Sequence, residues 1–290
     1  MPEHAPIQRA RTRRGNKLGR AVPYLEGALR VDFDAWLEAT VARHTVDLEF
    51  RELRKGAQAL SWLYVERRGE VDLAARAVEG RGKRAALASY YAPLHFLAAQ
   101  HALARIGAAR FGAVRRVIDL GCGTGATGAA AARMLDCADV VAIDRSGFAL
   151  SEARHTYAAF GLLSHTKRAQ LPSATPRPAP GEVWVLGWAV NELDDRARNA
   201  LGERIVRAIE AGVRLLLLEP LASGVVPWWS EWCAELSPFG VVDLESKARV
   251  ALPEWISRVD RASGLDHRVI GARVLAGPFD PDDCDDPDGP

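Results

Sequence analysis

A chain of 290 residues, 48% hydrophobic and 26% charged, has ordinary globular composition, which excludes collagenous, low-complexity and wholly disordered classes. A net charge of +1 excludes a protein that is basic or acidic throughout. No apolar run approaches the about 20 residues that a membrane span needs.

Charge gathers instead at the two ends. Residues 1–22 hold Arg9, Arg11, Arg13, Arg14, Lys17 and Arg20 against Glu3 alone. They read as a basic, disordered arm that either touches nucleic-acid phosphates or is simply solvated. The arm lacks the apolar core of a secretory signal, although an Arg-rich, acid-poor start also fits an organelle transit segment. The four cysteines, at 122, 137, 233 and 284, show no C-x-x-C spacing. No metal is therefore expected, and a reducing, cytoplasmic setting fits.

Residues 23–110 read as a helical domain. Phe50, Leu53, Ala57, Leu60 and Tyr64 share one helical face, with Thr45 or Asp47 as the candidate cap. A short basic loop, Arg81–Arg84, precedes a helix over about 85–105, which Pro93 should kink or break. Tyr90, Tyr91 and His95 lie just before the first strand and are candidate substrate or lid residues, His95 being equally readable as structural.

From residue 111 the pattern alternates. Strands are expected at about 116–120, 139–143, 165–170, 183–188 and 213–218, with a last pair somewhere in 265–276. Helices are expected at about 125–135, 147–160, 194–211 and 253–263. Such alternation means an α/β domain over 111–277, a mostly parallel sheet with helices on both faces. Residues 172–181, rich in proline, must be a loop. Residues 278–290, with six aspartates between 280 and 288, read as an acidic, disordered tail.

The stretch Val117-Ile-Asp-Leu-Gly-Cys-Gly-Thr-Gly125 carries the chemistry: a strand, then Gly121, Gly123 and Gly125, then a helix. That order brings backbone N–H groups and a helix start to a nucleotide-like ligand. Gly123-Thr-Gly-Ala-Thr-Gly128 also fits the dinucleotide fingerprint, and Asp144 stands about 20 residues on, where either NAD or S-adenosylmethionine would use it for ribose. Asp119 separates the two. A carboxylate there would repel a pyrophosphate and favour the ammonium and sulfonium of S-adenosylmethionine.

Ligands in open α/β sheets sit beyond the carboxyl ends of the strands. The second strand delivers Asp144 and Arg145, the third Gln170, the fourth Trp188, Asn191 and Glu192, and the fifth Glu219. Trp188 flanks the cofactor or fills core. Asn191 and Glu192 stand where a methyl acceptor would be held, with Glu192 the candidate base; alternatively Asn191 or Asp194 caps the next helix. Trp228, Trp229 and Trp232 suit base stacking or packing.

The motif Asp119-Leu-Gly-Cys-Gly-Thr-Gly125 with Asp144 resembles the class I S-adenosylmethionine-dependent methyltransferases. The resemblance covers about residues 107–275 and implies a Rossmann-like fold with a mostly parallel seven-stranded sheet. It implies that the glycine loop wraps the methionine half of the cofactor while Asp144 binds the ribose. Asn191-Glu192 departs from the Asn/Asp-Pro-Pro-Tyr/Phe pattern of enzymes that methylate base amino groups, since Leu193-Asp194 follow. Tyr90-Tyr-Ala-Pro93, Asn191-Glu-Leu-Asp194 and Glu219-Pro220 are similar to a narrower subgroup, the small-ribosomal-subunit methyltransferase-like proteins. That would imply ribosomal RNA or the small subunit as partner, although the metal-cluster cysteines of mitochondrial members are missing. A small-molecule acceptor and a cofactor-binding ribosome-assembly factor without turnover are the alternatives.

Overall fold

The computed structural model describes residues 21–66 and 78–279. The arm to residue 20 and the acidic tail from 280 lie outside the described residues. Helices α1 (Gly27–Thr45), α2 (Phe50–Glu66), α3 (Arg81–Ala86) and α4 (Ala92–Ile106) precede the sheet. Strands β2 (Arg116–Leu120), β3 (Asp139–Asp144), β4 (Leu163–Arg168), β5 (Glu182–Gly187) and β6 (Arg214–Glu219) are mutually parallel. Helices α5 (Ala126–Met134), α6 (Gly147–Ala159) and α7 (Asp195–Glu210) connect them, and α8 (Trp229–Leu236) and α9 (Glu254–Ser263) follow β6.

Seven strands were expected, and the sheet has eight. Their order is β1-β7-β8-β6-β5-β2-β3-β4, with β1 only Val22–Pro23. The last pair is not confined to 265–276: β7 (Val242–Ala251) and β8 (Val269–Gly277) flank α9 and run antiparallel, with β8 also antiparallel to β6. Strand β7 escapes sequence reading because Glu245, Lys247 and Arg249 alternate through it, leaving no apolar run. Winding reverses between β2 and β5, which are neighbours in the sheet, so a crevice opens at their carboxyl ends.

The period-two alternation of strands sorts the core into two layers. Val117, Val183, Val185, Leu216 and Leu218 face one way, into a core shared with α1 to α6 and α9. Ile118, Leu120, Trp184, Leu186, Leu215 and Leu217 face the other, toward α7 and α8. Trp228, Trp229 and Trp232 are buried in this second core, so they pack and do not stack on a ligand.

Pro93 leaves its mark as expected. The helix passes through a π turn, Leu87–Tyr91, before α4 begins. Proline has no N–H for the carbonyl of Ser89 four residues back. The indole of Trp255 donates to that carbonyl instead, at 3.0 Å. Thr45 does not cap α2, since its hydroxyl donates back to Val41 O at 2.8 Å.

Helix α1 is tied to α6 by charge. Arg43 donates both terminal nitrogens to Glu152, at 2.7 and 2.8 Å, and His44 Nε2 lies 3.0 Å from the same carboxylate. Burial alone would raise the Glu152 carboxyl; the hydrogen bonds from His44 and Arg43 outweigh it and hold the group at about 2. A carboxyl depressed below its unfolded value contributes stability above about pH 4.5, lost as pH falls toward 2. Glu152→Ala strands a partly buried Arg43 and should cost about 3 kcal/mol at pH 7. Urea titration should show that difference shrinking by pH 3.

Candidate active site

A cavity of about 440 Å³ lies beyond the carboxyl ends of β2 and β5, between the glycine loop, α4 and the start of β8. That volume suits one cofactor-sized ligand with an acceptor beside it. Gly121, Gly123, Asp144, Arg145 and Gln170 line it from the sheet side. Trp188, Asn191 and Glu192 line it from the segment after β5, and Tyr91 and His95 from the helical side. Asp119, Gly125 and Tyr90 are not on its wall.

Asp119 is displaced by strand alternation. It shares a face with Val117 and so points beneath α5, where it is 1% exposed. Its Oδ2 accepts the Tyr157 hydroxyl at 2.7 Å, and the backbone of Gly128 close by also favours the ionised form. A Cβ at Gly128 would collide with that carboxylate, which explains a glycine inside a helix. Oδ1 has no partner.

Four of the loop's N–H groups are spent within the fold. The N–H groups of Gly121 and Cys122 both donate to Ile143 O, that of Gly125 to Cys122 O, and that of Gly123 to Asp144 Oδ2 at 2.9 Å. None of these four is free for a pyrophosphate oxygen. Gly123 has φ +52°, and a Cβ on it would meet no protein atom within 4 Å, so the glycine leaves open space on the cavity wall. Asp144 Oδ1 accepts the Ser146 N–H at 2.7 Å. Each Asp144 oxygen thus makes one bond and keeps a lone pair for one hydroxyl of a vicinal diol.

The segment after β5 is held from β6. Glu219, fully buried, accepts the N–H groups of Val190 and Asn191 on Oε1, at 2.9 and 3.2 Å. This frames the turn Val190–Glu192, in which Asn191 Oδ1 is left without a partner. Asp194, not Asn191, caps α7, accepting Ala197 N–H at 2.7 Å. Trp188 carries φ +56°, costly for a non-glycine residue by about 1–3 kcal/mol. Its N–H donates to Leu218 O at 2.8 Å, and its ring stacks on His95, centroids 4.0 Å apart and 8° from parallel. Burial, with a smaller contribution from His267, lowers His95 to about 3, so the stacked imidazole is neutral.

Four carboxyls gather at this end of the sheet, Asp144 and Glu192 on the cavity wall and Asp119 and Glu219 buried behind it, and all four are raised. Burial lifts Asp119 to about 7, with Asp144 adding to it. Glu192, an exposed residue that lines the cavity wall, is also raised, by its place in the crevice and by Asp144, with Arg145 opposing. Burial lifts Glu219 to about 8 despite its two backbone donors. Asp144 is raised against the Ser146 and Gly123 N–H groups. Such a cluster has an unmet demand for positive charge. S-Adenosylmethionine, with a sulfonium, an ammonium and a ribose diol but no phosphate, matches each of these features.

The residues that sequence reasoning missed are Tyr157, Ser146 and a group at the far wall. There His267 lines the cavity while Asp260, 5% exposed, sits behind it and contacts Tyr90. No motif or spacing marks Asp260 and His267.

A mostly parallel α/β sheet with this crevice, completed by an antiparallel last strand pair, is a Rossmann-like fold. Residues 117–212 match the family model described as methyltransferase domain, so over those residues the chain carries an adenosylmethionine-dependent methyltransferase domain. No curated protein gives a significant match. Among solved structures the chain is similar to mitomycin 7-O-methyltransferase, with 16% identity, 87% of this chain and 76% of that one covered, and a TM-score of 0.47. It is also similar to an S-adenosylmethionine-dependent methyltransferase from Geobacter sulfurreducens solved with S-adenosylhomocysteine, with 16% identity, 61% and 89% covered, and a TM-score of 0.39. Ribosomal protein L11 methylase from Lactobacillus delbrueckii subsp. bulgaricus aligns with 15% identity, 63% and 76% covered, and a TM-score of 0.37. Among the described residues no helix is long and apolar enough to cross a membrane, and no group of three or more His, Cys, Asp or Glu is placed to hold a metal ion.

Proposed function

We propose that this methyltransferase acts on a small, largely uncharged acceptor drawn wholly into the cavity. The observation that carries this reading is the charge of the wall. Among the described lining residues Arg145 is the single Lys or Arg, and it faces Asp144 and Glu192. A polyanion needs cations along its path, because phosphate contacts supply most of nucleic-acid affinity. Here the acceptor side is instead apolar and aromatic, with Leu87, Tyr91, Leu94 and Ile270 beside the neutral His95–Trp188 stack. Asn191 Oδ1 is a free acceptor for one polar group of such a molecule. Transfer from a sulfonium is a single displacement, so holding acceptor and donor in line supplies most of the acceleration, about 7–11 kcal/mol.

Ribosomal RNA is the second reading, favoured by the six cations against one acid in residues 1–20, which would anchor the small ribosomal subunit. An assembly factor without turnover needs the same cofactor pocket. Incubation with radiolabelled methyl donor and separate metabolite and RNA extracts tests these. Label in the metabolite fraction, insensitive to salt between 50 and 200 mM, is the expected result. Label in RNA that falls by about 10³-fold or more over that range supports the second reading instead.

A further inference from the structure

We infer that His267 is the general base of this site, that Asp260 and Tyr90 are its positioning residues, and that the acceptor atom is therefore a hydroxyl oxygen. The inference deepens the small-acceptor reading and rests on it for the substrate, though not for the base.

The geometry comes from three elements. Tyr90 lies in the π turn, Asp260 on α9, and His267 in the segment leading to β8. The Tyr90 hydroxyl donates to Asp260 Oδ1, and His267 Nδ1 lies 2.8 Å from that same oxygen and 2.8 Å from the Tyr90 oxygen. Asp260 Oδ2 accepts the backbone N–H of His267 at 2.8 Å, fixing the residue as well as its ring. Asp260 is held below the usual carboxylate range: burial would raise it, but the hydrogen bonds from His267 and Tyr90 prevail.

Proton counting then fixes the tautomer. An ionised carboxylate only accepts, and the tyrosine has one proton, spent on Oδ1. The short contact between His267 Nδ1 and Oδ1 therefore requires the proton to be on Nδ1. In the neutral ring Nε2 then keeps its lone pair. His267 is the exposed member of the group, at 34% of its side chain against 7% for Asp260, and it lines the cavity. His95, stacked on Trp188 at the β5 tip, lines the same cavity. The cavity thus holds a proton acceptor with a buried carboxylate behind it, an arrangement that stabilises the imidazolium once formed.

A neutral amine attacks a sulfonium methyl with its own lone pair, whereas a hydroxyl must lose its proton as it reacts. In this assignment the acceptor O–H gives its proton to His267 Nε2 and the oxygen pair forms the new O–C bond. The donor's C–S bond breaks with its electron pair remaining on sulfur, leaving a neutral thioether. The positive charge ends on the imidazolium, which passes its proton to water.

The test uses the full chain and a panel of phenols with matched anilines. H267N should lose about 10²–10⁴-fold in kcat on phenols while its adenosylhomocysteine affinity by calorimetry stays within twofold. Nitrogen-15 spectra of the imidazole should show the Nδ1–H tautomer in the wild type and a growing Nε2–H fraction in D260N, with kcat reduced more than KM. If D260N does not fold, Y90F serves in its place: it removes one hydroxyl, leaves the Nδ1–H tautomer in the spectrum and should lower kcat more than it changes KM. An Nε2–H tautomer in the wild type, or wild-type turnover of phenols by H267N, overturns the inference. Turnover of anilines alone, indifferent to H267N, overturns the base and spares the small-acceptor reading. Turnover of RNA alone, abolished in H267N, does the reverse. If no panel member reacts, the tautomer alone decides.

Discussion

Asp144→Ala should weaken binding of both adenosylmethionine and adenosylhomocysteine by about 10²–10³-fold, measured by calorimetry. The argument is an inventory of lone pairs. Gly123 and Ser146 take one acceptor site on each oxygen, at 2.9 and 2.7 Å, and so aim the carboxylate into the cavity. Two ribose hydroxyls would occupy the remaining sites, each a hydrogen bond to a charged group worth about 1.5–3 kcal/mol. Asp144→Asn separates geometry from charge. It keeps one carbonyl acceptor but turns an N–H₂ toward either the loop or the ribose, and a loss nearer tenfold is expected. Unchanged affinity in Asp144→Ala would remove the ribose assignment and with it the register of the cofactor along the crevice.

What could be read in advance follows from which interactions are local. The parallel strands β2, β3, β5 and β6 announce themselves because both faces are buried, which makes each a continuous apolar run. Strand β7 did not, because its partner β8 lies across α9 and its own charged residues alternate outward. Asp144 was legible because a strand tip followed by a helix fixes where a side chain goes. Asp119 was misplaced for a related reason: it was read as reaching the cofactor, whereas a shift of one residue along a strand turns a side chain to the opposite face. Glu219 was legible as an acid at a strand end, but its grip on the turn at Val190 and Asn191 spans 29 and 28 residues of chain. Tyr90 and Asp260 are 170 residues apart, a pairing that no spacing rule reaches. Long-range polar contacts carry little sequence signal because they depend on packing angles between elements, and this site is made largely of them.

The crowded carboxyls make a second expectation, on pH. In the unfolded chain these groups ionise near pH 4, whereas in the fold Asp119 holds its proton to about 7 and Glu219 to about 8. Between those limits the folded state binds more protons than the unfolded state, so stability without ligand should fall as pH rises from about 5 to 9. Glu219 is the cleanest reporter, since Gln at that position keeps an acceptor for Val190 and Asn191 but cannot ionise. Glu219→Gln should match the wild type at pH 5 and exceed it at pH 9 by on the order of 2 kcal/mol, a gap that chemical denaturation resolves. A cationic ligand reverses the direction of the effect. As the carboxyls lose their protons they gain attraction for a sulfonium, so adenosylmethionine should bind more tightly at pH 8 than at pH 6. Adenosylhomocysteine keeps the ammonium but has a neutral sulfur, and its affinity should rise less. The ratio of the two affinities across that range isolates what the carboxyl cluster contributes to the sulfonium itself. A ratio that stays constant would mean that the cluster serves only to shape the turn after β5.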